Sequence, residues 1–222
     1  MLDAMKQELA TAVLYIREQK MRYLGKGNLS IFDRANNLVV IEPEGSGIPT
    51  EAENMLVVDM AGNVVEGSGR PAVDMPTHLE LYRAFPGVVS VMHSHSTYTT
   101  AWAQAGRDIP IYGTGHLDFF GEPIPCTRAV TSAEAENSYE LAAAACIIET
   151  FQKKSLDPGR VPAALLFQHG AFIWGGSAMK TAVCGAALEQ VAMLAYLTEK
   201  INPNITEVRL LKQICFPKYR LT

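Results

Sequence analysis

The sequence predicts an α/β fold: a central mixed sheet, mostly antiparallel, flanked by helices on both faces. Three observations favour this class. Segments with helical spacing of apolar residues alternate with short apolar strands along the whole chain. Several strands come in pairs joined by a short turn, and such hairpins are antiparallel. No Pro/Ser-rich linker, internal repeat or low-complexity stretch interrupts residues 1–222, which predicts one domain rather than two.

The first half of the chain predicts a helix followed by two strand pairs. Helical spacing of apolar residues runs from Leu2 to about Tyr23. The segments GKGNLSIFD and NNLVVIEP predict a hairpin that turns at RAN. Thr50 is placed to cap a short helix through Glu53 in a T-x-x-E arrangement. The segment MLVVDMAGNVVEG then predicts a second strand pair, joined near its Gly-Asn dipeptide.

The second half repeats this alternation. MPTHLELYRAF predicts a helix with Pro76 in its first turn, where proline is tolerated, and VVSVMHSH predicts a strand. TYTTAWAQAG predicts a short helix that stops at Gly106. Two long helices at 131–154 and 177–200 lie on either side of a strand pair, VPAALLFQHGAFIWG, which turns at the glycine of QHG. A last short helix is predicted at about 205–213.

Composition excludes several classes of protein. The net charge is −4 and no stripe of lysine and arginine is present, so a nucleic-acid partner is not expected. The opening segment is amphipathic and charged, without the apolar core of a signal peptide, and no apolar stretch reaches the ~20 residues of a membrane span. The four cysteines are far apart and predict free thiols. We therefore expect a cytoplasmic protein that binds neither nucleic acid nor membrane.

Two of the five histidines stand one residue apart at the end of VVSVMHSH. Because strand side chains alternate, His93 and His95 share the face that Val91 gives to the core. The segment AALLFQHG repeats this pattern, with Leu165 and His169 on one face. Three imidazoles that leave one position open are typical of a catalytic zinc-type site. The alternative is that each histidine is a hydrogen-bonded structural residue at a strand end.

The other two histidines lack that register. His78 lies in the helix that begins with DMPTH, where it could support a ligand or cap the helix. His116 lies in GTGHLDFFG, which predicts a glycine-rich loop, and it could bind substrate or lie on the surface.

The central run DMPTHLELYRAFPGVVSVMHSHSTYTTAWAQAGRDIPIYGTGHLDFFGEPIPCTR carries a family resemblance. With VVEGSGRP, ETF and QHGAFIWG in order, it resembles the class II aldolase family, and most closely its L-ribulose-5-phosphate 4-epimerase branch. The resemblance covers about residues 2–212. It implies one divalent ion per subunit, with zinc preferred over manganese or cobalt. It also implies a small sugar substrate and a C4 homotetramer with active sites between subunits.

The resemblance implies roles for individual residues. His93, His95 and His169 correspond to the metal ligands of the family. Asp74 corresponds to the acidic position beside the metal, as a fourth ligand or an acid/base. Asp118 corresponds to the epimerase acid/base that a neighbouring subunit contributes. The candidate substrate-binding residues are Gly27, Asn28, Glu44, Gly45, Ala72, Val73 and His116.

The loops that hold phosphate in the family differ in this chain. They read roughly K-P-S-G and P-S-S-D in relatives, but Glu42-Pro43-Glu44-Gly45 and Pro71-Ala72-Val73-Asp74 here. Carboxylates in place of lysine and serine repel a phosphate dianion. Arg70 could compensate in part. The alternative is that Glu42 and Glu44 point to solvent while backbone N–H groups bind the phosphate.

The end of the chain also departs from the epimerases. Their tail carries a histidine and a tyrosine, and that tyrosine is the second acid/base. Here the chain ends in QICFPKYRLT, where Tyr219 is the only candidate and does not sit at the matching distance.

These features predict a metal-dependent retro-aldol enzyme acting on a small ketose, with a sugar 4-epimerase preferred. Cleavage of the C3–C4 bond requires a base at the C4 hydroxyl, and epimerisation requires attack on the other face of the aldehyde. One alternative is an aldolase, lyase or decarboxylase acting on a non-phosphorylated sugar or sugar acid. Another is a non-catalytic, metal-stabilised tetramer.

Overall fold

A computed structural model describes residues 2–22, 25–45 and 51–207. Its α-helices are α1 (Leu2–Glu18), α2 (Met75–Ala84), α3 (Thr97–Ala105), α4 (Thr114–Phe119), α5 (Ser132–Lys154) and α6 (Ala178–Ile201). Its strands are β1 (Gly27–Asp33), β2 (Leu38–Ile41), β3 (Leu56–Asp59), β4 (Val64–Glu66), β5 (Ser90–Ser94), β6 (Ala163–Leu166) and β7 (Gly170–Gly175).

The seven strands form one sheet in the order β4-β3-β2-β1-β5-β7-β6. Every pair of neighbouring strands is antiparallel, as the hairpins in the sequence predict. Among the described residues, parallel pairing is limited to an isolated bridge between Cys126 and Leu165. The α/β class is therefore confirmed, and the sheet is antiparallel rather than mixed.

The side chains of β5 show that helices cover both faces of the sheet. Met92 faces α6, since a Cβ added at Gly185 would lie 2.3 Å from the Met92 Cε. The next side chain, His93, points the other way and stacks on Phe172, whose ring contacts His78 of α2 edge-on. Helices α1 and α3 pack on α6, while α5 packs on α2. The histidines thus face the layer formed by α2 and α5.

Several boundaries differ from the sequence prediction. Helix α1 ends at Glu18 because Lys20 adopts a positive φ of 54° and closes a Schellman motif, in which the Met21 N–H donates to the Ile16 carbonyl. GTGHLDFF is a short helix, α4, rather than a loop. The segment expected to form a helix after Thr50 is one 3₁₀ turn, Ala52–Asn54, and Thr50 itself lies outside the described residues. The helix predicted at about 205–213 lies mostly outside them too.

Helix α6 is long and apolar enough, by length and composition, to cross a membrane, although the sequence pattern predicted no such stretch. It packs against α1, α3 and the strands β5 and β7. Core helices of this kind pass the same test of length and composition, so the feature is weak evidence of a span. Cys126, Cys146 and Cys184 are free thiols, and Cys215 lies outside the described residues.

Candidate metal and substrate site

The imidazoles of His93, His95 and His169 converge at one end of β5. The Nε2 atom of His93 lies 2.8 Å from that of His95 and 3.0 Å from that of His169. Their ligand atoms all lie within 4.8 Å of one another. In the described parts of the chain no other group of three His, Cys, Asp or Glu residues could hold a metal ion in this way. Three imidazole nitrogens therefore lie close enough together to bind one ion.

The backbone brings the three rings together in different ways. His93 belongs to β5, and His95 follows directly after the strand ends. His169 lies in the turn between β6 and β7, because β6 already ends at Leu166. The register that predicts His169 on a strand face is therefore wrong, although the residue does reach the site. Gly170 permits this close approach, since a Cβ there would lie 2.6 Å from the Ser94 carbonyl oxygen.

Hydrogen bonds occupy the outer nitrogens of two histidines, and for His93 the bond also sets the tautomer. The Nδ1 of His93 lies 3.0 Å from the Ala171 carbonyl oxygen, which can only accept, so Nδ1 carries the proton. The Nδ1 of His169 lies 2.9 Å from the phenol oxygen of Tyr139. Metal-binding histidines are usually held in this way, with Nε2 left free to bind.

Burial keeps these histidines neutral. Desolvation, then the neighbouring charges of His169 and His95, lowers the pKa of His93 well below its ordinary value. Desolvation also lowers the pKa of His95 to about 4, against the opposing effect of Asp74. The pKa of His169 is lowered, again mainly by desolvation. Neutral imidazole is the form that binds a metal ion.

The residues fit a divalent transition metal. Zinc binds imidazole nitrogen at ~2.0–2.1 Å in a tetrahedral arrangement, which places ligand atoms ~3.3 Å apart. The separations of 2.8 and 3.0 Å need only a small expansion to reach this value. Imidazole also suits manganese and cobalt, so the ligand set does not choose among the three metals.

Asp74 lies beside the cluster at the N-terminus of α2. Its carboxylate oxygen Oδ2 accepts a hydrogen bond of 2.7 Å from the Asn28 side-chain amide. The carboxylate raises the pKa of both His95 and His169, which places its charge near the metal site. It is not within the compact group of the three histidines, so its role as a fourth ligand stays a prediction.

A cavity of about 470 Å³ opens in front of the histidines. Most of the substrate-binding residues suggested by the sequence line it together with the histidines and Asp74: Gly27, Asn28, Glu44, Gly45, Ala72 and Val73. The buried Oδ1 of Asn28 has no hydrogen-bond partner among the described residues. An unsatisfied buried acceptor that borders a cavity is suited to a hydroxyl group of a bound sugar.

Glu42 has a structural role that the sequence did not indicate. Its side chain is buried, forms a bidentate ion pair with Arg22 and accepts the Leu29 N–H at 2.8 Å. The alternative that Glu42 points to solvent is therefore wrong. Because Arg22 neutralises Glu42, Glu44 remains as the carboxylate of this loop that can oppose a phosphate.

Lys26 also lines the cavity, and no pattern in the sequence singled it out. Its charge lowers the pKa of His95 and of His169, so the ammonium group lies on the side of the cavity near the metal ligands. A cation there favours an anionic group on this side of the cavity.

Three other predicted residues lie elsewhere. His116 and Asp118 belong to α4, which packs against α6, and in the described part of the chain neither lines the cavity. His116 is buried, with Nε2 2.9 Å from the Glu122 carbonyl oxygen, which gives it a structural role within one chain. Tyr219 lies outside the described residues.

His78 forms part of a buried polar network beneath the site. Its Nδ1 lies 2.8 Å from the Ser30 hydroxyl, which also bonds the Tyr82 phenol. Desolvation lowers the pKa of His78 to about 3, and the charge of His93 adds to this while Asp74 opposes it. The ring is therefore neutral at pH 7, and it bonds β1, the strand that pairs with β5 and His93.

This burial predicts that acid destabilises the metal-free protein through His78. Below pH 6.5 His78 is protonated in the unfolded chain, whereas in the native state it stays neutral down to about pH 3. Stability therefore falls as the pH is lowered. At pH 5 the loss from this group is about 2 kcal/mol. Urea unfolding at pH 8 and pH 5 should show that the free energy of unfolding falls less in His78→Asn than in the wild type. Equal losses in the two proteins would show that His78 does not carry the effect.

Comparisons with known proteins agree with this geometry. The family described as Class II Aldolase and Adducin N-terminal domain matches residues 7–196. A solved L-fuculose 1-phosphate aldolase has 23% sequence identity and a TM-score of 0.78, covering 95% of this chain and 93% of its own.

Two further solved structures are similar in fold. The L-fuculose 1-phosphate aldolase from Glaciozyma antarctica PI12 has 20% identity and a TM-score of 0.74, covering 96% of this chain and 80% of its own. The l-fuculose-1-phosphate aldolase from Thermus thermophilus has 20% identity and a TM-score of 0.67, covering 92% of this chain and 100% of its own. At these identities the likeness shows a shared fold.

Proposed function

The chain belongs to the class II aldolase and adducin N-terminal domain family, and we propose that it is a metal-dependent enzyme that cleaves the C3–C4 bond of a small ketose by retro-aldol chemistry. The observation that carries this proposal is the convergence of three neutral imidazoles at a polar cavity. A bound divalent ion supplies a Lewis acid that stabilises negative charge on the cleaved sugar.

The residues of this chain hold the substrate and move its protons. Asn28 fixes one oxygen of Asp74, which leaves the carboxylate oriented to take a proton from the C4 hydroxyl. The buried Oδ1 of Asn28 accepts a hydrogen bond from a second hydroxyl. As the proton leaves, the electrons of the C3–C4 bond pass to the ketose fragment and the C4 carbon becomes an aldehyde.

The preferred reaction is 4-epimerisation, with the aldehyde retained and attacked on its other face. This choice rests on the resemblance of the Asp118 segment to the epimerase branch, with Asp118 supplied by a neighbouring subunit of a cytoplasmic C4 homotetramer. The second candidate is an aldolase that releases the aldehyde, because the similar solved structures carry that name. Lys26 near the metal side favours a sugar acid as substrate for this second candidate, or for a lyase or decarboxylase.

A screen of C4-epimeric ketose pairs on the metal-loaded protein tests the proposal. Interconversion without aldehyde release supports the epimerase, and aldehyde release supports the aldolase. If neither occurs with free ketoses, their phosphate esters or sugar acids, a non-catalytic metal-stabilised tetramer becomes the better interpretation.

Phosphorylated pentuloses should be poor substrates compared with free ketoses of similar length. Ala72 and Val73 have no hydroxyl donor, and each charge-assisted hydrogen bond that is lost is worth ~1.5–3 kcal/mol. The exposed Glu44 adds repulsion. The measurement is kcat/KM for L-ribulose 5-phosphate against L-ribulose and other free ketoses, and we expect a ratio of at most about one tenth.

The triple variant Ala72→Ser/Val73→Ser/Glu44→Ser should move the preference towards the phosphate ester. Glu53→Ser removes an exposed carboxylate outside the cavity and serves as the control, with no change in preference. A clear preference of the wild type for the ester would show that backbone donors suffice.

A further inference from the structure

We propose that Tyr139 is a positioning residue that fixes the tautomer and orientation of His169 and thereby raises the affinity of the three-histidine site for its metal ion. The inference rests on the proposed metal-dependent function. It assigns a role to a residue that neither the strand register nor the family resemblance indicated.

The contact between the two side chains carries the proposal. The Tyr139 phenol oxygen lies 2.9 Å from Nδ1 of His169, while Nε2 of the same ring faces His93 at 3.0 Å. The two rings are stacked, with centroids 5.5 Å apart and an angle of 28° between their planes. If the phenol oxygen accepts from Nδ1–H, the proton is held on the outer nitrogen and the lone pair of Nε2 is free for a metal ion.

His169 needs such a partner more than His93 does. His93 is held by the strand β5, by the Ala171 carbonyl and by stacking on Phe172 at 4.5 Å. His169 lies in the short turn between β6 and β7, next to Gln168 with a positive φ of 57°. A turn fixes the backbone but leaves the ring to its side-chain contacts, and Tyr139 provides both a stacked surface and the hydrogen bond.

An interruption in α5 places Tyr139 beside this turn. The helix begins with a capping box between Thr131 and Glu134, but Ser138 leaves the helical conformation, at φ −169° and ψ 114°. The Ser138 hydroxyl then accepts the Leu141 N–H at 3.3 Å, so a second helical segment starts at this serine. Tyr139 is the first residue of that segment.

A contact with α2 anchors the same segment. The Thr77 hydroxyl donates to the Glu140 carbonyl at 2.8 Å. Thr77 is fully buried and lies on the helix that begins beside Asp74. The backbone on both sides of Tyr139 is therefore fixed, and a residue that orients a metal ligand requires such a rigid support.

The test compares Tyr139→Phe with the wild type in metal binding rather than in turnover. Purified apo-protein is titrated with Zn²⁺ in competition with a chromophoric chelator, and with Co²⁺ while its ligand-field absorption is recorded. We expect affinity to fall ~10–100-fold and the cobalt spectrum to change, because loss of an outer-shell partner has effects of this size. Thermal unfolding of the apo-protein should stay close to that of the wild type.

Tyr112→Phe is the matched control. Its hydroxyl donates to Glu199 at 2.9 Å, and the residue does not line the cavity, so its removal should leave metal affinity unchanged. A direct reading on the wild type is the ¹⁵N NMR signal of Nδ1 in His169, which should be that of a protonated, hydrogen-bonded nitrogen in the zinc-bound protein. This reading does not depend on the folding of a variant.

The outcomes separate the two claims. If the wild type binds one ion and Tyr139→Phe binds it equally well, or if Nδ1 of His169 is unprotonated, the positioning role is overturned and the proposed function stands. If the wild type binds no divalent ion, the proposed function falls and this inference falls with it.

Discussion

His95→Ala should abolish metal binding and catalytic activity while leaving the fold intact. His95 lies just after β5 and is only partly buried, whereas His93 is buried and stacked on Phe172. Replacing His95 therefore removes one of three ligands with little loss of packing. Because Lewis-acid stabilisation is worth several kcal/mol, activity should fall at least about a thousandfold.

Metal content by elemental analysis and turnover on the best ketose are the measurements. Activity should not return when Zn²⁺, Mn²⁺ or Co²⁺ is added to the variant. His78→Asn removes a buried imidazole outside the cluster and should keep one ion per chain. A His95→Ala protein that turns over at the wild-type rate without metal would rule out the proposed site.

Local patterns in the sequence predict the parts of the site that depend on local structure. The alternation of strand side chains brings Val91 and His93 to one face of β5, and the structure confirms a strand there. The antiparallel pairs, the helix with Pro76 and the stop at Gly106 also follow from short-range rules. Gly106 has a φ of 66°, which explains why α3 ends at that glycine.

The same rules fail where contacts between residues far apart in the sequence determine the structure. His169 reaches the site through a turn, although the alternation of residues predicted a strand. Arg22 meets Glu42 across a separation of 20 residues, and no periodicity in either segment indicates the pair. A serine inside a helical pattern rarely indicates a break. The sequence at Ser138 therefore did not predict that Tyr139 contacts His169.

Asp118 shows a different limit, because its predicted role depends on a second subunit. Helix α4 packs against α6, on the face of the sheet opposite to α2 and Asp74. Within the described part of one chain, Asp118 does not line the cavity of the histidines. A catalytic role for Asp118 therefore requires that it enter the site of a neighbouring chain.

Asp118→Asn should keep the fold and one metal ion per chain but lose most of its turnover. Asparagine has the same shape as aspartate but cannot take up a proton, and loss of a general acid/base lowers rates by ~10²–10⁴-fold. The measurements are metal content and kcat. A variant with unchanged turnover would show that the acid/base lies elsewhere.

Mixing inactive subunits then tests whether the site is shared between chains. When Asp118→Asn and His95→Ala chains are dissociated, mixed in equal amounts and reassembled, some sites combine an intact metal cluster with an intact Asp118 from the neighbour. In randomly assembled rings about a quarter of all sites are complete in this way, so up to about a quarter of wild-type activity should return. Asp74 and His95 line the same cavity within one chain, so mixing Asp74→Asn with His95→Ala should restore nothing. Recovery in the first mixture but not in the second is the expected pattern, and failure of both would mean that each chain builds its site alone.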